Sequence, residues 1–164
     1  MSSCLFCRIV AGTEPAIVVH RDPLCMAFMD IHPLAPGHVL LIPTAHAERL
    51  DQLDHATRRH LYRVMDALVA AQRKAGLGVE GSQLLVNDGK AANQHIPHVH
   101  LHLVPRRRGD SIGFFWRVLL HFTGIFGPRT RQAELQKHAD AIAAHWPAAW
   151  AEHADDALAA TTAA

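Results

Sequence analysis

The sequence predicts an α+β protein built on a mostly antiparallel, five-stranded sheet with one long helix and short flanking helices. Three observations predict it. Short apolar runs at 16–22, 25–31, 38–43, 82–88 and 98–105 are bounded by Pro, Gly, Asn and Asp. The segment 54–76 carries the three- and four-residue apolar spacing of a helix. Runs that follow one another are joined by short turns, whereas a parallel pair needs a long crossover.

In chain order, "CLFCRIVAG" (4–12) reads as one or two helical turns ended by Gly12. "AIVVHRD" and "CMAFMDI" flank Asp22-Pro23, a hairpin signal. "HPLAPG" (32–37) is a Pro/Gly loop, and "HVLLIP" (38–43) is a buried strand stopped by Pro43. The long helix places Leu61, Val64, Met65, Leu68 and Val69 on one face, with Asp54 as N-cap and Gly76 as stop. "SQLLVND" (82–88) is a strand, "GKAANQ" (89–94) a polar loop, and "HVHLHLVP" (98–105) a strand closed by Pro105. "RQAELQKHADAIAAHW" (131–146) reads as a second helix. Residues 1–146 are expected to form one domain, and 147–164 a flexible, Ala-rich tail. The aromatic stretch "GFFWRVLLHFTGIFG" (113–127) leaves three roles open: cover for a site, dimer contact or core cap.

A length of 164 residues suits one domain with a real core, and 49% hydrophobic with 19% charged residues is ordinary for a soluble globular chain. The net charge of +1 argues against a polybasic nucleic-acid surface. Arg106, Arg107 and Arg108 read as a solvated face or a local polyanion site. The three cysteines, Cys4, Cys7 and Cys25, do not make a disulfide framework and point to a reducing compartment. The N-terminus lacks a secretory pattern. The most apolar window, 111–127, is interrupted by Arg117 and His121 and falls short of the ~20 residues that span a bilayer. The expectation is therefore a cytoplasmic protein without membrane or nucleic-acid partners.

Fourteen histidines are the outlying count. In "HIPHVHLHLVPRR" (95–107), alternation puts His98, His100 and His102 on one strand face and Val99, Leu101 and Leu103 on the other. Same-face neighbours lie ~6.6–6.8 Å apart, an awkward spacing for three ligands of one ion at ~2.0–2.1 Å. At least one of the three therefore has another task, unless the row is only a polar surface. Upstream, "VNDGKAANQ" supplies amides and a glycine turn, the parts of an oxyanion or phosphate cradle.

"HVHLHLV", together with "CLFCRIVAGTEPA", "AFMDIHPLAPGHVLLIPTAH" and "VNDG" followed by "NQ", resembles the histidine triad (HIT) nucleotide hydrolases and transferases over about residues 4–108. The zinc-containing bacterial members are the nearest type. The resemblance implies the HIT-like fold, with 109–146 as a C-terminal extension. It implies a hydrolase that cleaves a nucleotide, a phosphoramidate or a dinucleoside polyphosphate, at the α-phosphate. His100 would be the nucleophile and would carry a nucleotidyl-histidine intermediate. His102 would contact the phosphate, and a histidine there rather than glutamine favours hydrolysis over transfer. Asn87 and Gln94 would contact the nucleotide, Asp30 the ribose hydroxyls, and Phe6, Ile9, Phe28 and Ile31 a purine base. Core packing is the alternative for these last four.

Two positions depart from the family pattern: Asn93 replaces a common glycine, and His95 replaces a serine or threonine. His95 would donate a proton to the leaving group or point to solvent. The resemblance further implies a structural zinc on Cys4, Cys7, His46 and His98, leaving Cys25 as a core residue, and a homodimer formed by the long helix and an edge strand. The competing readings are a catalytically silent nucleotide-binding scaffold and a metalloenzyme using the triad directly.

Overall fold

The computed structural model describes residues 4–123 and 129–147. Beyond Pro147, the expected flexible tail lies outside the described residues, as do 124–128 of the aromatic stretch. The elements are α1 (Leu5–Val10), β1 (Val18–Arg21), β2 (Cys25–Met29), β3 (Val39–Pro43), α2 (His55–Lys74), β4 (Gly81–Val86), β5 (Leu101–Arg106), α3 (Ser111–Phe122) and α4 (Gln132–Ala143). The strands form one antiparallel sheet in the order β1-β2-β3-β5-β4.

The central strands β2 and β3 are apolar at every position because both faces of the sheet are covered. Cys25, Ala27, Met29, Val39 and Leu41 join Val99, Leu101 and Leu103 in the main core beneath α2 and α4. On the opposite face Met26, Phe28, Leu40 and Ile42 pack with Cys4, Phe6 and Ile9 of the α1 segment. Leu61, Val64 and Leu68 of α2 are buried as the spacing predicts, with Met65 and Val69 half-buried beside them. The Asp54 side chain caps α2 by accepting the Thr57 N–H at 2.7 Å. Gly76 follows the helix at φ +77°, the left-handed conformation that glycine adopts without strain. In α4, Leu135, Ala139 and Ile142 recur at helical spacing and enter the main core, so this part of the C-terminal extension belongs to that core.

The β1–β2 turn holds a buried polar cluster that the hairpin signal did not announce. Asp22 Oδ1 accepts the Leu24 and Cys25 N–H groups at 2.8 Å each. Its Oδ2 accepts His20 Nε2 at 2.9 Å and His60 Nε2, from α2, at 2.7 Å. The His20 ring stacks on Trp146, just beyond α4, at 4.2 Å. One carboxylate thus joins the hairpin, α2 and the end of α4. Burial by itself would raise the Asp22 pKa. The hydrogen bonds from His20, His60, Cys25 and Leu24 outweigh it and hold the carboxyl far below its usual range.

The segment 113–127 was open in its role. Its described part is α3, whose Phe114 packs with Leu34, Ala35 and Val104 as a small satellite core. Arg106 anchors it, forking onto Asp110 at 2.6 and 2.9 Å and lying 3.7 Å from the Phe114 ring centre. Arg117 Nη1 donates to the Leu34 carbonyl at 3.1 Å. Ile112, Phe115, Trp116 and Leu119 stay exposed on the outer side. Among the described residues no helix is long and apolar enough to cross a membrane.

Candidate active site and metal cluster

The histidine stretch is not a strand from His98, as its alternation predicted. β5 begins at Leu101, so only His102 of the three sits in the ladder. The His98 carbonyl is taken by side chains instead: His100 Nδ1 at 2.7 Å and Gln94 Nε2 at 3.4 Å. Pro105 does not close the strand either, because it pairs with Ser82 on the β4 side and β5 runs on to Arg106. The shared face survives these corrections. The edge of Phe6 meets His98 at 5.8 Å and His100 at 5.4 Å, and the His100 and His102 rings are 5.0 Å apart.

Each ring's partner decides its tautomer. A carbonyl can only accept, so His100 Nδ1 carries the proton donated to the His98 carbonyl, and Nε2 is left with a lone pair. His100 is 6% exposed, and burial lowers its pKa against the opposing pull of the His98 carbonyl and Asp30. Burial thus favours the neutral ring, whose Nε2 keeps its lone pair.

His102 is ordered by a residue the sequence reading missed, His38. The Leu34 N–H donates to His38 Nδ1 at 3.2 Å, so the His38 proton is on Nε2, which donates to His102 Nδ1 at 3.1 Å. That leaves the His102 proton on Nε2, as a donor. His38 is fully buried, and its Nδ1 lies 3.4 Å from Asp30 Oδ2. Alternation with Leu40 and Ile42 puts His38 on the histidine face of the sheet, the only trace of it in the sequence.

The remaining candidates take different places. Gln94 braces the loop, receiving the Gly89 N–H at 2.8 Å and donating to the Glu48 carbonyl at 2.7 Å. Asn87 Nδ2 donates to the Asn93 carbonyl at 3.5 Å. Asn93 sits at φ +64°, ψ +35°, which explains why it stands where glycine is common: Asn is among the side chains that tolerate this region. Asp30 is 9% exposed, its Oδ1 accepting the His32 N–H at 2.8 Å. Phe6, Ile9 and Phe28 are buried in the α1-side cluster, whereas Ile31 is exposed. His95 is exposed and close enough to His100 for a charge on it to lower the His100 pKa.

At the other end of the row, Cys4, Cys7, His46 and His98 present ligand atoms that all lie within 4.8 Å of one another. Cys4 Sγ is 3.5 Å from His98 Nδ1, and Cys7 Sγ is 3.3 Å from His46 Nδ1 and 3.7 Å from His98 Nδ1. A tetrahedral ion with bonds of ~2.0–2.3 Å spaces its ligands by ~3.3–3.8 Å, so the donors fit one. His98 Nε2 donates to the Pro43 carbonyl at 3.0 Å, which turns the Nδ1 lone pair toward the sulfurs. Two thiolates and two imidazoles, grouped among the described residues, suit a structural metal.

The family model described as HIT domain matches residues 11–109. The chain belongs to the HIT family. It is 37% identical over 108 residues to an uncharacterized HIT-like protein of Methanocaldococcus jannaschii, covering 66% of this chain and 82% of that one. It is 32% identical to the adenosine 5'-monophosphoramidase of Schizosaccharomyces pombe, covering 70% of this chain and 83% of that one. An adenylylsulfatase of Arabidopsis thaliana is 33% identical over 68% of this chain and 56% of its own length. Among solved structures, a zinc-bound histidine triad protein of Mycobacterium smegmatis superposes with a TM-score of 0.70 at 32% identity, covering 88% of this chain and 93% of that one. Two of these relatives carry the names of hydrolases, an adenosine 5'-monophosphoramidase and an adenylylsulfatase, and the five-stranded antiparallel sheet is the one the HIT resemblance implied.

Proposed function

We propose that the chain is a HIT hydrolase that cleaves a purine nucleotide at the α-phosphate, a phosphoramidate or a dinucleoside polyphosphate, through a nucleotidyl-histidine on His100. The observation that carries this reading is the His100 tautomer, with Nδ1–H bound to the His98 carbonyl and Nε2 free to attack. The Nε2 lone pair forms a bond to phosphorus. The bond to the amine or phosphate leaving group breaks, and its electron pair departs with that group. His95, beside His100, supplies the leaving group's proton. Water then attacks phosphorus and gives a proton back to His95, the P–Nε2 bond breaks with its electron pair returning to Nε2, and the nucleoside monophosphate leaves. Two displacements replace one harder one.

His102 Nε2–H donates to a phosphate oxygen and holds the charge that develops there. Asp30 turns toward the ribose hydroxyls, Asn87 and Gln94 keep the 87–94 loop against the phosphate, and Ile31 with the edges of Phe6, Ile9 and Phe28 meets the base. Cys4, Cys7, His46 and His98 would hold a structural zinc that fixes α1 to the 44–47 and 94–98 segments. We expect a homodimer formed by the long helix and an edge strand, as the family resemblance implies; β4 is one edge of the sheet among the described residues.

The test is a panel of adenosine and guanosine phosphoramidates, dinucleoside polyphosphates and adenylyl sulfate, assayed with the parent and His100→Ala. The proposal expects turnover of at least one class and a loss of about 10³-fold or more in His100→Ala with nucleotide binding retained. Tight binding without turnover by the parent points to the scaffold reading. Activity in His100→Ala equal to the parent's removes His100 as nucleophile.

A further inference from the structure

Gln72 is a fully buried polar side chain on α2, behind the sheet from the histidine row. Its Nε2 donates to two backbone carbonyls, Gly37 at 2.9 Å and Leu103 at 3.3 Å. Gly37 precedes His38, and Leu103 follows His102. The amide therefore ties together the two segments that carry the His38–His102 hydrogen bond.

The register explains why a tie is needed there. The Asp30 N–H donates to the His38 carbonyl, so His38 and Leu40 address β2, while Gly37, Val39 and Leu41 address β5. The β3–β5 ladder has three pairs and ends at Val39↔Leu103. Two residues further, Gly37 comes opposite Pro105, and a Cβ on Gly37 would lie 3.3 Å from the Pro105 ring. A proline has no N–H, so the ladder offers the Gly37 carbonyl no donor. The Gln72 amide stands in for the missing one.

Packing alone does not account for a glutamine at this place. Its Oε1 is buried and accepts no hydrogen bond among the described residues, a cost that a methionine or leucine of similar volume would avoid only by taking the amide from the Gly37 carbonyl.

We infer that Gln72 is a positioning residue for catalysis: its amide sets β5 against the loop before β3, and so keeps His38 Nε2 on His102 Nδ1 and the His102 proton on Nε2. The inference rests on the reading of His102 as a phosphate donor. It deepens that reading by naming what holds the donor in place from outside the site.

Two arms test it, using Gln72→Met, or Gln72→Leu should the first variant not fold. The first arm reads the His102 imidazole by ¹⁵N NMR. The inference expects one tautomer, protonated on Nε2, in the parent and a mixture in the variant; the same single tautomer in both overturns it. This arm stands whether or not the nucleotide panel finds a substrate, so failure of the functional reading stays distinguishable. The second arm is a double-mutant cycle with His38→Ala on whichever substrate the panel identifies. Gln72→Met is expected to lower kcat about tenfold with little change in KM, but less than about twofold once His38 is gone. Equal losses in the two backgrounds indicate a general structural role and overturn the inference.

Discussion

At His38 a single backbone N–H, from Leu34, decides where the protons of two imidazoles lie. Removing that ring while keeping its bulk, as in His38→Phe, takes away the donor to His102 Nδ1. The expected result is a fall in kcat of about 10–100-fold with KM nearly unchanged, measured on the best phosphoramidate or polyphosphate substrate. Asn93 makes a second prediction at this scale. Its φ of +64° is hostile to a β-branched side chain, so Asn93→Val should cost about 1–2 kcal/mol in a denaturant titration. A cost near zero would mean that the turn refolds around the new residue. His98, His100 and His102 were legible from their spacing, because alternation is a local property of extended chain. His38 was not, because its partner lies 64 residues away.

Among the elements, the β1–β2 hairpin and α4 are held by features of opposite kind. Asp22 is a buried carboxylate whose surrounding titratable groups are His20, His60 and Cys25. Its folded pKa lies below its unfolded one, so its contribution is present above the ordinary carboxylate pKa and declines as pH falls beneath it. Asp22→Asn should lose about 1–3 kcal/mol at pH 7, and its stability should fall less steeply than the parent's below about pH 4. Parallel stability curves for the two proteins over that range would contradict the assignment. In α4, Ile142 is fully buried in the main core, and Ile142→Ala should destabilise by about 2–5 kcal/mol on thermal or chemical unfolding. A surface value, under about 0.5 kcal/mol, would mean that α4 does not belong to the core. Helices and strands were legible from apolar period and turn residues. The start of β5 was not, because side chains from His100 and Gln94 compete for the His98 carbonyl, and periodicity is blind to that competition.

For the molecule as a whole, the four-residue cluster of Cys4, Cys7, His46 and His98 joins the N-terminus to two distant segments. Elemental analysis is expected to find about one zinc per chain, falling well below that in Cys4→Ala, and chelation is expected to lower the Tm. A metal-free protein with the same Tm before and after chelator would remove the zinc. By itself the sequence determined the class of fold and the faces of its long helix, which follow from local period and turn residues; the division of the histidine row between a metal set and a phosphate site came only from the resemblance to the HIT family. The tertiary structure decided which nitrogen of each imidazole holds its proton. That depends on the Leu34 N–H for His38, a contact within the loop before β3, and on the Pro43 carbonyl for His98 and the His38 ring for His102, groups brought within hydrogen-bond reach only when β3 pairs with β5.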